Sequence, residues 1–218
     1  IGVLGAVAQY DVRRLLAFHI ISQIGYMTAG LAIGTHLALT AVVFYILHHI
    51  AVKSTLFLVG GVLEMKTGTP DIRRHGGFYQ SQPLLAACFL IPALSLGGIP
   101  PLSGFWAKLN LLQAGVQSGE WLFLAMALGV GILTLFSMIK IWNESFWKAQ
   151  PATSGGHENT CSLPLAPGRP YLAIGLLCAL TLVFSLGGYF VFELSSRAAS
   201  TLADPSHYID AVLKGGSP

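Results

Sequence analysis

Two lysines sit in strongly apolar surroundings: Lys53 in FYILHHIAVKSTLFLVGG and Lys108 in GGIPPLSGFWAKL. An ammonium group at lipid depth costs at least about 2.5–3.5 kcal/mol on insertion scales, so each needs a partner or a water-lined cavity. Lys53 lies roughly ten residues, or about 15 Å, from one end of its apolar run, which places it near mid-depth. Tyr45, His49 and Lys53 recur every four residues and share one helical face, whereas His48 points about 100° away. Imidazole titrates near neutrality, so a tyrosine–histidine–lysine stripe has the chemistry of a proton relay. The competing reading is that His48 and His49 only hydrogen-bond neighbouring helices together.

The preceding run, LLAFHIISQIGYMTAG, repeats the pattern more mildly: His19, Gln23 and Tyr26 follow at i, i+4 and i+7 with Ser22 beside them. Interhelical hydrogen bonding explains Ser22, Gln23 and Tyr26, which leaves His19 as the titratable candidate. His19, His36, His48 and His49 do not make a metal site, because His48 and His49 diverge and neither Cys nor carboxylate completes a ligand set. Lys140 in SMIKIWNESFW is close enough to its helix end to snorkel to water. The acids Glu64, Asp71, Glu120, Glu144 and Glu193 fall at or near segment ends, as interfacial groups do. Asp11 beside Arg13 and Arg14 is either an ion cluster at the mouth of a path or a surface pair.

The elements that carry these residues follow from composition. The 218 residues are 54% hydrophobic and 10% charged, where soluble domains carry about 25% charged residues. With a mean hydropathy of +0.67, this is an integral membrane protein. Runs such as LLAACFLIPALSL do not alternate apolar and polar, which excludes a β-barrel and predicts an all-α, polytopic transmembrane helix bundle. The apolar passages are 1–10, 15–35, 37–63, 84–117, 121–147 and 170–192, with 193–218 as an extracytoplasmic surface tail. The connections 11–14, 64–82 and 148–169 carry lysine or arginine, whereas those near 35 and 118 do not. The positive-inside bias therefore puts the three basic connections in the cytoplasm and the C-terminus outside. The net charge of +3 resides in those connections, which argues against a nucleic-acid partner. Cys88, Cys161 and Cys178 have neither metal spacing nor a paired framework and read as small core residues.

The segment 84–117 would be about 50 Å long as one helix, more than a bilayer core needs. Gly97, Gly98, Pro100, Pro101 and Gly104 are expected to interrupt it, since proline removes a backbone donor and glycine loosens the helix. Non-helical backbone at this depth is tolerated only inside protein or beside water. The break thus predicts a hydrated cavity faced by Lys108; the plainer alternative is a proline kink with Lys108 reaching an interface.

Three ordered stretches, AQYDVRRLLAFHIISQIGYM, YILHHIAVKSTLFLVGG and LSLGGIPPLSGFWAKL, resemble the antiporter-like family shared by proton-pumping membrane subunits of respiratory complex I and Mrp-type cation/proton antiporters. The details HIISQIGYM, HHIAVKSTLFL, FWAKL and YIDAVL are more similar to the D subunit of the Mrp type. The resemblance implies two inverted five-helix repeats, each with an interrupted helix, and protons moving along buried lysines, histidines, glutamates and water. It implies a proton path through Lys108, Lys53 and His49, to which the residues themselves add His48 and His19 as candidates, with no cofactor and no enzyme activity of the chain's own. It further implies a multi-pass place in a bacterial plasma membrane, hydrophobic partner subunits in a hetero-oligomer, and transport of H⁺ against a monovalent cation such as Na⁺. Arg13 stands where many relatives have lysine, which puts proton hopping there in doubt. The chain starts inside an apolar stretch without methionine, which reads as the C-terminal half of such a subunit; an acidic residue and a lysine of the preceding half would lie upstream. The alternatives are a proton-pumping subunit of a complex I-like oxidoreductase or related hydrogenase, and a structural scaffold whose polar stripes are helix glue.

Overall fold

The computed structural model describes residues 1–149 and 168–204, with 206, 209 and 212. Most of the connection 148–169, including Cys161, and most of YIDAVL lie outside the described residues. Among the described residues the architecture is helical without a strand, as the apolar runs predict. The helices are α1 (Gly2–Ala8), α2 (Val12–Ile33), α3 (His36–Thr67), α4 (Phe78–Ser81), α5 (Pro83–Gly97), α6 (Ser103–Gln117), α7 (Trp121–Ile141), α8 (Arg169–Leu186) and α9 (Gly188–Ala203). A π-helical turn, Trp142–Trp147, extends α7.

Capping residues start the two long N-terminal helices where the apolar runs begin. The Asp11 carboxylate accepts from the Arg14 amide at 3.0 Å, and the Thr35 hydroxyl accepts from the Ala38 amide at 3.2 Å. Among the described residues, four helices are long and apolar enough to cross a membrane: Val12–Ile33, His36–Thr67, Trp121–Trp147 and Arg169–Leu186. The 15-residue helices α5 and α6 reach only about 22 Å each, so neither crosses alone. They follow one another across residues 98–102, and both pack on α3 and α7, so together they form a fifth, interrupted passage.

Helix α3 is the hub. It packs against α2, α5, α6, α8 and α9, and 61% of its most apolar stretch is buried, against 28% for α2 and 22% for α8. Its own polar residues therefore end up inside, together with the inward-facing ones of its neighbours, such as His19 and Gln23 of α2.

The basic connections gather at one end of the bundle. The Val12 amide donates to Pro70 O at 3.0 Å and the Ile72 amide to Tyr10 O at 2.9 Å; Gly77 donates to Lys148 O at 2.7 Å. His75 sits among these segments, fully buried, with Nδ1 3.1 Å from Ser145 Oγ and Nε2 2.9 Å from Thr69 O. The connection 64–82 thus touches both 11–14 and the start of 148–169. The final passage stops at Leu186, earlier than its apolar run suggested. After Gly187, α9 lays Val191, Ser195 and Ala199, one face at four-residue spacing, against α3.

Candidate functional site

The GGIPPLSG stretch does interrupt its helix, and the site is built on the free ends this creates. Gly98 closes α5 in the left-handed region (φ 87°), where only glycine is comfortable. A helix end leaves carbonyls without partners, and Lys108 supplies the donor: its Nζ lies 2.8 Å from Leu96 O and 3.4 Å from Gly97 O. The negative end of the α5 dipole favours the same ammonium. On the other side, the α6 amides are met by serines from neighbouring helices, Ser103 N–H donating to Ser185 Oγ at 2.9 Å and Gly104 N–H to Ser95 Oγ at 3.2 Å. Gly104 permits this approach, because a Cβ there would stand 1.8 Å from Ser95 O.

Lys108 is 8% exposed, with Nζ 5.4 Å from the centre of the Tyr26 ring. Beside it, a cavity of about 270 Å³ opens between α6 and α7, bordered by Tyr26, Gly97, Gly98, Leu112 and Gly131. Lys108 therefore borders a cavity at the break.

Lys53 is 5% exposed, near the middle of α3, and its Nζ donates to Leu16 O of α2 at 3.2 Å. Between the two lysines runs a band of buried polar groups. Tyr45 donates to Gln23 Oε1, stacks on Tyr26 at 5.7 Å and meets His48 edge-on at 5.9 Å. His48 Nδ1 lies 2.8 Å from Ser103 Oγ at the start of α6. His19, His48 and His49 are all buried, and both ring nitrogens of His19 and Nε2 of His48 and His49 have no hydrogen-bond partner among the described residues. Such a band, flanked by two ammonium groups, has the parts of a proton-transfer route.

Comparison with known proteins settles the kinship. Residues 1–135 match the family described as NADH:quinone oxidoreductase/Mrp antiporter, TM. The chain is 45% identical over 213 residues to the D subunit of the Na(+)/H(+) antiporter of Alkalihalophilus pseudofirmus, covering 98% of this chain and 42% of that protein. The chain belongs to the NADH:quinone oxidoreductase/Mrp antiporter transmembrane family. Its fold is similar to a chain in the solved structure of the Mrp complex from Dietzia sp. DQ12-45-1b, with a TM-score of 0.87 and 38% identity over 97% of this chain and 46% of that one. It is also 32% identical to NAD(P)H-quinone oxidoreductase subunit 2 of Synechococcus sp. (strain JA-3-3Ab), over 91% of this chain and 38% of that protein. The chain spans about two fifths of the length of the curated relatives it matches.

Within this family member, the remaining candidates are distributed unevenly. Asp11, Arg13 and Arg14 do not close into one cluster: Asp11 caps α2, and Arg13 pairs with Glu64 of α3. Asp71, at the same end, pairs with Arg73 at 2.8 Å, and that guanidinium holds its carboxyl below the usual carboxylate range. Lys140, partly exposed near the end of α7, is anchored on α1. Its Nζ donates at 2.7 Å to both Val7 O and Gln9 O, filling the C-terminal end of α1, and lies 4.7 Å from the Tyr10 ring centre. Ser95 and Ser103 escape a reading of the sequence, because small hydroxyls are common in membrane helices and nothing in their spacing marks them. The one available signal is their position flanking GGIPP.

Proposed function

We propose that the chain forms one half-channel of an Mrp-type D subunit, conducting protons in exchange for a monovalent cation, Na⁺ being the expected one, within a hetero-oligomer of hydrophobic subunits. The observation that carries this reading is the buried polar band from Lys53 through the His19, His48 and His49 imidazoles to Lys108 at the broken helix. Buried nitrogens without protein partners favour ordered water, which can link titratable groups too far apart to touch. Lys108 and Lys53 alternate between charged and neutral, and the histidines pass protons between them. Chemistry of this kind needs no cofactor, and the chain is a transporter part, not an enzyme. The contact between the basic connections supports their placement together on the cytoplasmic face of a bacterial plasma membrane.

Because the chain matches under half the length of its relatives, transport belongs to the complete subunit in its complex. In that complex, Lys108→Ala is expected to abolish proton-coupled cation exchange in inverted vesicles while the subunits still co-purify. Unchanged exchange defeats the assignment. A second reading, a proton-pumping subunit of a quinone oxidoreductase, is supported by the 32% identity to NAD(P)H-quinone oxidoreductase subunit 2. Flavin or iron–sulfur subunits co-purifying with the complete protein decide for it; small hydrophobic subunits decide for the antiporter.

A further inference from the structure

The serines at the break do more than satisfy helix ends. Ser185 and Ser95 accept from the first amides of α6, which accounts for them structurally. The Ser103 hydroxyl serves no amide among the described residues. It lies 2.8 Å from His48 Nδ1 and 3.1 Å from Ser95 Oγ, and all three side chains are buried to 99% or more. A hydroxyl donates and accepts, so this line has two complete arrangements. With His48 Nδ1 unprotonated, Ser103 O–H donates to it and Ser95 O–H donates to Ser103 Oγ. With a proton on Nδ1, the imidazole donates to Ser103 Oγ and Ser103 O–H turns to donate to Ser95 Oγ. Apart from the proton gained or lost at Nδ1, only hydroxyl rotation separates them. Ser95 immediately precedes Leu96, whose carbonyl holds Lys108.

Resting on the proton-route reading above, we infer that Ser103 and Ser95 form a two-position hydroxyl switch that reports the proton state of His48 to the end of α5 anchoring Lys108. Among the described residues, the charged and titratable groups acting on His48 are Lys108 from α6, the adjacent His49, and Tyr45 packed edge-on, while α5 and α8 reach it through Ser103, by the hydroxyls of Ser95 and Ser185. Ser103 is accordingly a positioning residue, acting through His48 and Lys108.

The test uses the complete complex in vesicles, measuring exchange across a pH series for Ser103→Ala, Ser103→Thr and Ser95→Ala, with Lys108→Ala beside them. Ser103→Ala is expected to slow exchange roughly tenfold, the scale of one lost buried hydrogen bond, and to move the pH of half-maximal exchange. Ser103→Thr should restore both, and Ser95→Ala should reproduce the effect of Ser103→Ala from the other end. A merely structural serine lowers the rate equally at every pH, so an unshifted profile overturns the switch, as does wild-type behaviour of Ser103→Ala. If threonine does not fit and assembly fails, the pH profile of Ser95→Ala decides in its place. Exchange surviving Lys108→Ala overturns the proton route and the switch together. Exchange lost in Lys108→Ala but normal in both serine-to-alanine variants overturns the switch alone.

Discussion

Lys53 and Lys108 are the same residue at nearly the same burial, yet they are held in opposite ways. Lys53 projects from an unbroken helix, and its ammonium donates to one carbonyl, Leu16 O of α2. Lys108 projects toward a break, where two carbonyls at a helix end point at it and an aromatic face covers it. The first ammonium is a guest in a packed interface; the second completes a structure that is unsatisfied without it. A broken helix can therefore bind a buried charge using its own backbone, whereas a continuous helix depends on its neighbours.

The comparison is sharpest when both lysines are replaced by a residue of similar bulk. Lys108→Leu in the complete subunit should remove exchange altogether and also lower thermal stability, because Leu96 O and Gly97 O lose their donor at a cost of about 1–3 kcal/mol. Lys53→Leu should also impair exchange, but stability should hold or rise, since apolar replacement of buried charge is often neutral or stabilising. Thermal unfolding of the detergent-solubilised complex reads the sign. A matching loss of stability in both variants would remove the distinction.

Packing gives a second contrast. Gly104→Ala puts a methyl group 1.8 Å from Ser95 O, and since that oxygen is backbone, α5 and α6 must part. The expected cost is about 3 kcal/mol, with loss of the cavity geometry around Lys108. Gly60, on the α3 face near α2, has its closest neighbour, Val12 Cγ2, at 3.3 Å, so Gly60→Ala should change stability by less than about 1 kcal/mol. Equal tolerance at the two sites would mean that the break is not closely fitted. A smaller effect follows at α1: Lys140→Met should weaken the docking of α1 on α7 by about 1–2 kcal/mol, detectable as faster proteolysis near Gln9 with folding of the rest intact.

Most of the architecture was legible in the residues. Apolar runs placed the passages, the glycines and prolines placed the break, and lysine at lipid depth marked both charged positions. The rest depended on rotation and distance between helices, which no local pattern encodes. Four-residue spacing groups His49 with Tyr45 and Lys53, but it is His48 that meets Ser103, because α3 turns that side toward α6. Lys140 looks ordinary in sequence because its acceptors lie on α1, more than 130 positions away in the chain. The passage ending at Leu186 reads too long because Tyr189, Phe190 and Val191 continue the apolar run although Gly187 ends the helix.

The basic end of the molecule extends the comparison to His75, a buried group between the spanning helices whose hydrogen-bond partners, Ser145 and Thr69 O, are neutral. Burial pushes the His75 imidazole below its ordinary value of 6.5, although the hydrogen bond to Thr69 O and the charges of Asp71 and Glu64 work the other way. A folded-state value below the unfolded one means that the unfolded chain takes up the proton first, so stability is retained above about pH 6.5 and falls as pH drops beneath it. With Nε2–H given to Thr69 O, Nδ1 accepts from the Ser145 hydroxyl, and protonation reverses that bond. Melting measured from pH 8 to pH 5 should show a downward slope below 6.5 that flattens in His75→Gln, a change of only a few degrees. A slope that persists in His75→Gln would show that the acid sensitivity does not come from His75.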